Sequence, residues 1–351
     1  MTEDHRGATV TIAPPESAAP PASVQMNQLL AGFQISQALY VVAKLGVPSA
    51  LLDGPKSVAT LAAGTGADPV VLHRLIRTLV PVGVFRLGTD GIAEVTPLGA
   101  TLAEQHPESC RAMALFWMET HYASFGDLLH TALTGEPAAN HHLGMPFMDW
   151  LSADADRIGL LNGAMAGLTS NLRTGLFDGY RLPAGATVAD IGGGDGTVLA
   201  TLLAADPERR GIVFDLPEVV SGARRTLERH GLTDRADIVG GSFFESAPAA
   251  DVYVVSQVLH DWDDESCLRI LRSIAAAAAP GARLVVIELV VPDGPEPHLA
   301  KMIDLTMLAM TAGRERSAEE YRALFATGGF TLDRIVGTES PYSFLEASLT
   351  G

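Results

Sequence analysis

Cysteine is nearly absent: Cys110 and Cys267 are the two in 351 residues. That is too few for a disulfide framework or a cysteine metal cluster. Both fall in apolar or helical-looking contexts that suit buried thiols. Basic residues are also scarce, 24 Lys and Arg against 41 Asp and Glu, for a formal net charge of −17. This balance argues against nucleic acid, whose phosphates need a basic footprint, and against an anionic membrane surface. There is no run of about 18 apolar residues to span a bilayer. The N-terminal stretch MTEDHRGATVTIAPPESAAPPAS has acids and prolines where a signal peptide has a continuous apolar segment. A cytoplasmic location is expected, with a disordered tail over residues 1–22. What is present is 47% hydrophobic residues, enough for a substantial core in about two domains.

From Gln25 to about Ala100 the pattern reads as helices and then brief strands. SVATLAAGTGADPVVLHRLIRTLVPVGVFRL gives helix, turn, helix and strand, and GIAEVTPLGATL completes a two-stranded wing. Lys56, Arg74, Arg77 and Arg86 are set against Asp68, Asp90 and Glu94, so this winged-helix outline carries no basic stripe for DNA and is read as scaffold or subunit interface. Residues 110 to about 175 are read as all-helical and rich in large side chains, chiefly a helix–helix core. From about Ala184, TVADI, GIVFD, DVYVV and RLVVIELVV alternate with helix-length segments, the pattern of a mostly parallel, doubly wound α/β sheet.

VADIGGGDGTVL runs a strand into a glycine turn with Gly192, Gly194 and Gly196. A dinucleotide fingerprint would need its third glycine at 197, where Thr197 stands, and a P-loop would need a lysine that is missing. The turn can still bring backbone amides to a ligand at a helix N-terminus. Asp190 and Asp195 would repel a pyrophosphate and suit a cation. Asp215 closes the next strand, where a carboxylate can accept from a ribose diol or merely cap Leu216-Pro217. Together these elements point to an adenosine-bearing cation, S-adenosylmethionine (SAM).

VADIGGGDG, GIVFDLPEVV, GGSFFE, VLHDWDDESC, LVVIELVVPDG and GRERSAEEYRALFATGGF follow one another in the order seen in the plant-type small-molecule O-methyltransferases. The family includes the caffeate, isoflavone and hydroxyindole enzymes and bacterial antibiotic-biosynthesis relatives, and the chain resembles it over about residues 25–350. The resemblance implies a winged-helix dimerisation domain (23–110), a helical substrate-pocket region (111–180) and a Rossmann-like SAM-binding domain (181–351). It implies His260 as general base, with Glu288 and Glu315 flanking it. Glu315 as a surface ion pair with Arg314 or Arg316 is the other reading. Asp261 either positions substrate or base, or caps the helix that follows. The implied cofactor contacts are Asp190, Gly192, Gly194, Asp215, Ser242, Phe243 and Ser256. Ser242 stands where the family commonly has aspartate, and Ser256 where it often has lysine or arginine. The implied acceptor pocket holds Leu161, Met165, Met307 and Thr311, with Phe116 and Trp117 from the middle helices.

A phenol with a pKa near ~10 can pass its proton to a neutral imidazole as methyl transfer proceeds. The expected activity is therefore SAM-dependent methylation of a phenolic hydroxyl on an aromatic natural product, by a homodimer needing no metal. A relative that keeps SAM but decarboxylates or hydroxylates is the alternative. A DNA-binding regulator and a nicotinamide dehydrogenase fit the charge and Thr197 less well.

Overall fold

The computed structural model describes residues 20–172, 175–217 and 219–350. Of the tail expected at 1–22, residues 1–19 lie outside the described residues, and Ala22 opens the first helix. The chain divides into two compact units after Gly99.

In the first unit, Asp68 caps the helix Pro69–Leu79 by accepting from Val70 N and Val71 N, each at 2.9 Å. Such a cap stabilises a helix by about 1 kcal/mol. Leu72, Ile76 and Leu79 on this helix are buried, while Val70 and Val71 face outward. The wing has one strand more than the sequence pattern suggests. β1 (Lys56–Ser57), β2 (Phe85–Leu87) and β3 (Ile92–Val95) form an antiparallel sheet in the order β1-β3-β2. A two-residue strand carries no alternation to read.

In the second unit, helical segments from Arg111 to Leu172 precede an α/β sheet. Its parallel strands are β4 (Thr187–Ile191), β5 (Arg210–Asp215), β6 (Ala236–Gly240), β7 (Val252–Ser256) and β8 (Arg283–Val291). β9 (Arg316–Ser317) pairs with the end of β8, and β10 (Phe330–Gly337) and β11 (Tyr342–Leu349) add an antiparallel edge. The order β10-β11-β8-β7-β4-β5-β6 is the mostly parallel sheet anticipated. Alternate residues bury on opposite faces: Val188, Val254 and Val285 on one, Ala189, Val255 and Val286 on the other. This is why the strands read as unbroken hydrophobic runs.

β4 pairs with β5 on one side and β7 on the other. The strand order reverses there, and the crevice beyond the carboxyl ends of β4 and β7 is where such sheets take ligands. Cys267 is buried as expected, but Cys110 is exposed, because it lies at the entry to the helix Arg111–Phe116 rather than on a packed face. No helix among the described residues is long and apolar enough to cross a membrane.

Candidate active site

The glycine turn leaves β4 with Gly192 N and Gly193 N both donating to Phe214 O of β5, at 2.8 and 3.2 Å. Gly192, Gly194 and Gly196 have φ of +70°, +54° and +76°, in the region that favours glycine. A Cβ on Gly192 would lie 2.6 Å from Val258 Cγ2, whereas one on Gly194 would meet nothing within 4 Å. The turn is thus packed on its inner side and open on its outer side. Asp215, at the tip of β5, accepts from Gly194 N at 2.9 Å and from Leu216 N at 2.7 Å. It caps the following segment and also pins the turn. Gly241 N donates to Asp215 O at 2.9 Å, so the segment carrying Ser242 and Phe243 starts beside it. Phe243 packs edge-on against Phe244 at 4.8 Å and Trp262 at 6.2 Å between ring centroids. Asp190 and Ser256 are buried within β4 and β7.

An open glycine turn, a carboxylate at the neighbouring strand tip and a buried acid in β4 fit a SAM-sized adenosine cation better than a phosphate. Asp215 thus joins the glycine turn to the segment that opens at Gly241, at the carboxyl ends of β4 and β5.

His260 follows β7 on a short turn, Leu259–Asp261. Its Nδ1 lies 2.8 Å from Glu315 Oε1 and 4.0 Å from Glu288 Oε2, and its Nε2 lies 3.5 Å from Asp261 Oδ1. Both glutamate side chains are fully buried. Glu288, in the middle of β8, earns its place through backbone contacts: its Oε1 accepts from Val258 N and Leu259 N, each at 3.0 Å. Glu315 is therefore not the surface ion pair that its arginine neighbours suggested, since Arg316 turns to Asp264. Asp261 is not the helix cap either; Asp263 fills that role by accepting from Ser266 N at 2.8 Å.

Burial alone would depress the His260 pKa. The carboxylates of Glu288, Asp261 and Glu315 outweigh it and raise the imidazole to about 10. Burial pushes Glu288 up to about 7 against the pull of His260. His260, Glu288 and Glu315 present ligand atoms within 4.8 Å of one another, a donor set that a divalent cation could accept.

Two residues that the motifs do not single out hold this cluster. Arg316, 1% exposed, donates to Leu259 O and Trp262 O, each at 3.0 Å, and to Asp264. Asp304 Oδ1 accepts from Glu315 N at 3.0 Å. The signal for Arg316 lay in GRERS, where its charge reads as ordinary surface.

Of the expected acceptor residues, Phe116 is buried in a hydrophobic cluster with Phe147, Leu151 and Met310, against which Leu161 packs. Trp117 and Met165 are exposed. Thr311 Oγ1 donates to Met307 O at 3.2 Å, holding both at the end of the helix Leu299–Met310. Phe116 and Leu161 thus share one cluster, while Trp117 and Met165 turn to the surface.

The O-methyltransferase domain model matches residues 125–331, and the O-methyltransferase dimerisation domain model matches residues 27–105. The phenazine O-methyltransferase PhzM of Lysobacter antibioticus is 39% identical, over 99% of both chains. The aclacinomycin 10-hydroxylase RdmB of Streptomyces purpurascens is 36% identical, over 88% of this chain and 85% of that protein. The crystal structure of CalO1, a methyltransferase in calicheamicin biosynthesis in its S-adenosylhomocysteine-bound form, superposes with a TM-score of 0.83. It is 32% identical, and the match covers 96% of this chain and 100% of that one. The glycine turn, the strand-tip aspartate and the match across nearly the whole length place the chain in the plant-type small-molecule O-methyltransferase family, bacterial natural-product branch, as a SAM-dependent methyltransferase.

Proposed function

We propose that the protein methylates a phenolic hydroxyl of an aromatic natural product, with His260 as the general base. The observation that carries this reading is the 2.8 Å contact between His260 Nδ1 and Glu315 Oε1. An imidazole that donates through Nδ1 presents Nε2 as its proton acceptor. SAM bound at the glycine turn supplies an electrophilic methyl group on a cationic sulfur. Gly192, Gly194, Asp215, Ser242 and Phe243 hold it, with Asp190 and Ser256 contributing from the strands.

In the free protein three carboxylates keep a proton on His260 at neutral pH. His260 sheds it more readily when a cation lies nearby, by the Coulomb argument that the carboxylates use in the opposite sense. The link is short: Val258, two residues before His260, packs against Gly192 of the turn. His260 then takes the phenol proton while Glu315 and Glu288 stabilise the imidazolium that forms. Asp261, beside Nε2, helps orient substrate.

The 111–180 segment and the helix Leu299–Met310 supply the apolar acceptor pocket, through Phe116, Trp117, Leu161, Met165, Met307 and Thr311. Residues 181–351 hold SAM. Two copies pair through residues 23–110, where Val24, Met26, Leu29, Leu30 and Phe33 are exposed on adjacent helices.

His260→Ala is expected to lower turnover by roughly 10²–10⁴-fold with a panel of phenols while SAM affinity stays nearly intact. Undiminished S-adenosylhomocysteine release would remove His260 from the reaction. The hydroxylase among the relatives gives the second reading its support: cofactor retained by the wild type with no S-adenosylhomocysteine released would favour it.

A further inference from the structure

His121 is a histidine in an apolar place. It ends a single π-helical turn, Trp117–His121, and is 7% exposed. Its ring meets Phe116 edge-on at 4.7 Å and Phe147 at 5.1 Å between centroids. π-turns within helices recur at functional sites because they swing a side chain out of register. Burial drops the His121 pKa to about 4, so the ring is neutral at working pH.

Its tautomer follows from its neighbour. Thr120 Oγ1 lies 2.6 Å from Phe116 O and 2.7 Å from His121 Nδ1. A hydroxyl has one proton, and a carbonyl can only accept, so that proton goes to Phe116 O. Thr120 must then accept from His121 Nδ1–H, which leaves Nε2 as a bare acceptor. Nε2 makes no hydrogen bond among the described residues.

One helix runs between the ring's surroundings and those of the base. On the helix Leu299–Met310, Asp304 holds the backbone of Glu315 and Met310 packs in the Phe116–Phe147 cluster. Those two positions are six residues apart, about 9 Å along the axis. Met307, midway between them, faces the same side at helical spacing.

We propose that His121 is a specificity-determining residue whose Nε2 accepts a hydrogen bond from a second donor, hydroxyl or amino, on the aromatic acceptor. The preferred substrates then carry two polar groups, one methylated at His260 and one held at His121. This rests on the methyl-transfer reading for its first group and on the Thr120–His121 geometry for its second.

The test compares naphthols with dihydroxynaphthalenes and aminonaphthols in wild type, His121→Phe and His121→Gln, by S-adenosylhomocysteine release. Wild type is expected to favour the doubly substituted acceptors by roughly 10–100-fold in kcat/KM, the scale of one buried hydrogen bond. His121→Phe should abolish that preference while leaving naphthol turnover within a few-fold. His121→Gln, which keeps an acceptor, should restore part of it. Thr120→Val keeps the ring but frees its tautomer, and should weaken the preference even if His121→Phe folds poorly.

Equal losses for both acceptor classes, or a preference unchanged in His121→Phe, would overturn the proposal. If wild type turns over neither class, calorimetry with the same acceptors and S-adenosylhomocysteine separates the two ideas. A His121-dependent preference in Kd upholds the subsite while the methyl-transfer reading fails; no preference in Kd sinks the subsite.

Discussion

The Arg316 guanidinium lies 3.0 Å from the carbonyl oxygen of Leu259, the residue before His260. A second nitrogen reaches Trp262 O, also at 3.0 Å, and Asp264 Oδ1 at 2.7 Å. One planar side chain therefore ties both ends of the turn that carries the imidazole. Lysine has the charge but not the fork that spans three acceptors. Arg316→Lys is expected to lower kcat by about tenfold, in keeping with the sensitivity of catalysis to small misplacements. SAM affinity should change little, because the glycine turn is untouched. Loss of SAM binding in step with kcat, measured by calorimetry, would mean that Arg316 supports the whole crevice rather than the base.

Glu315 is one of three carboxylates that raise His260 to about 10. Removing its charge lowers the imidazole pKa, so the base becomes neutral at lower pH. The rising limb of kcat/KM against pH should therefore move to lower pH in Glu315→Gln. Its plateau should fall only modestly, since the amide oxygen can still accept from Nδ1–H. A limb that stays put or moves to higher pH would show that His260 does not set the profile.

Burial raises Glu288 from an ordinary value of 4.5 to about 7. Between these values the folded chain binds more protons than the unfolded one, so stability falls as pH rises. The contribution is fully present below about 4.5 and lost above about 7. Glu288→Gln keeps acceptors for Val258 N and Leu259 N but cannot titrate. Its Tm should vary less than wild type between pH 5 and 8; an identical pH dependence would place the titration elsewhere.

The parallel strands were legible because burial on both faces writes unbroken apolar runs, as in RLVVIELVV. Glu288 was legible for the same reason, an acid in such a run needing a partner. The glycine turn could be read because Thr197 removes the dinucleotide pattern. β10 and β11 were not legible: Phe330–Gly337 mixes exposed polar and apolar residues without a clean period. Arg316 and Asp304 escaped because their partners lie 57 and 11 residues away in the chain, at Leu259 and Glu315. His121 escaped because its one informative bond is to its own neighbour, visible only once the π-turn brings both against Phe116.

Asp215 has two oxygens and two backbone partners, Gly194 N and Leu216 N. Asp215→Ala is expected to weaken SAM binding by at least tenfold while leaving the fold intact, because both freed amides sit where water can reach them. The amide of Asp215→Asn keeps one acceptor oxygen and should lose less. Equal SAM affinity in wild type and Asp215→Ala, by calorimetry, would take Asp215 out of the cofactor site.

Gly192 lies close against Val258, two residues before His260, and this approach joins the glycine turn to the imidazole. Gly192→Ala faces two penalties: a φ of +70°, which costs a non-glycine residue about 1 kcal/mol, and a Cβ 2.6 Å from Val258 Cγ2. Pushing Val258 outward disturbs the backbone amides that Glu288 holds, so the single variant should lose both SAM affinity and turnover. Val258→Ala removes the atom in the way. In the double variant the steric part is relieved and the backbone strain stays, so the losses should be less than the sum of the two singles. A double-mutant cycle on SAM affinity reads this coupling directly. Strict additivity would mean that the turn adapts without moving Val258, and that cofactor and base are not linked through this contact.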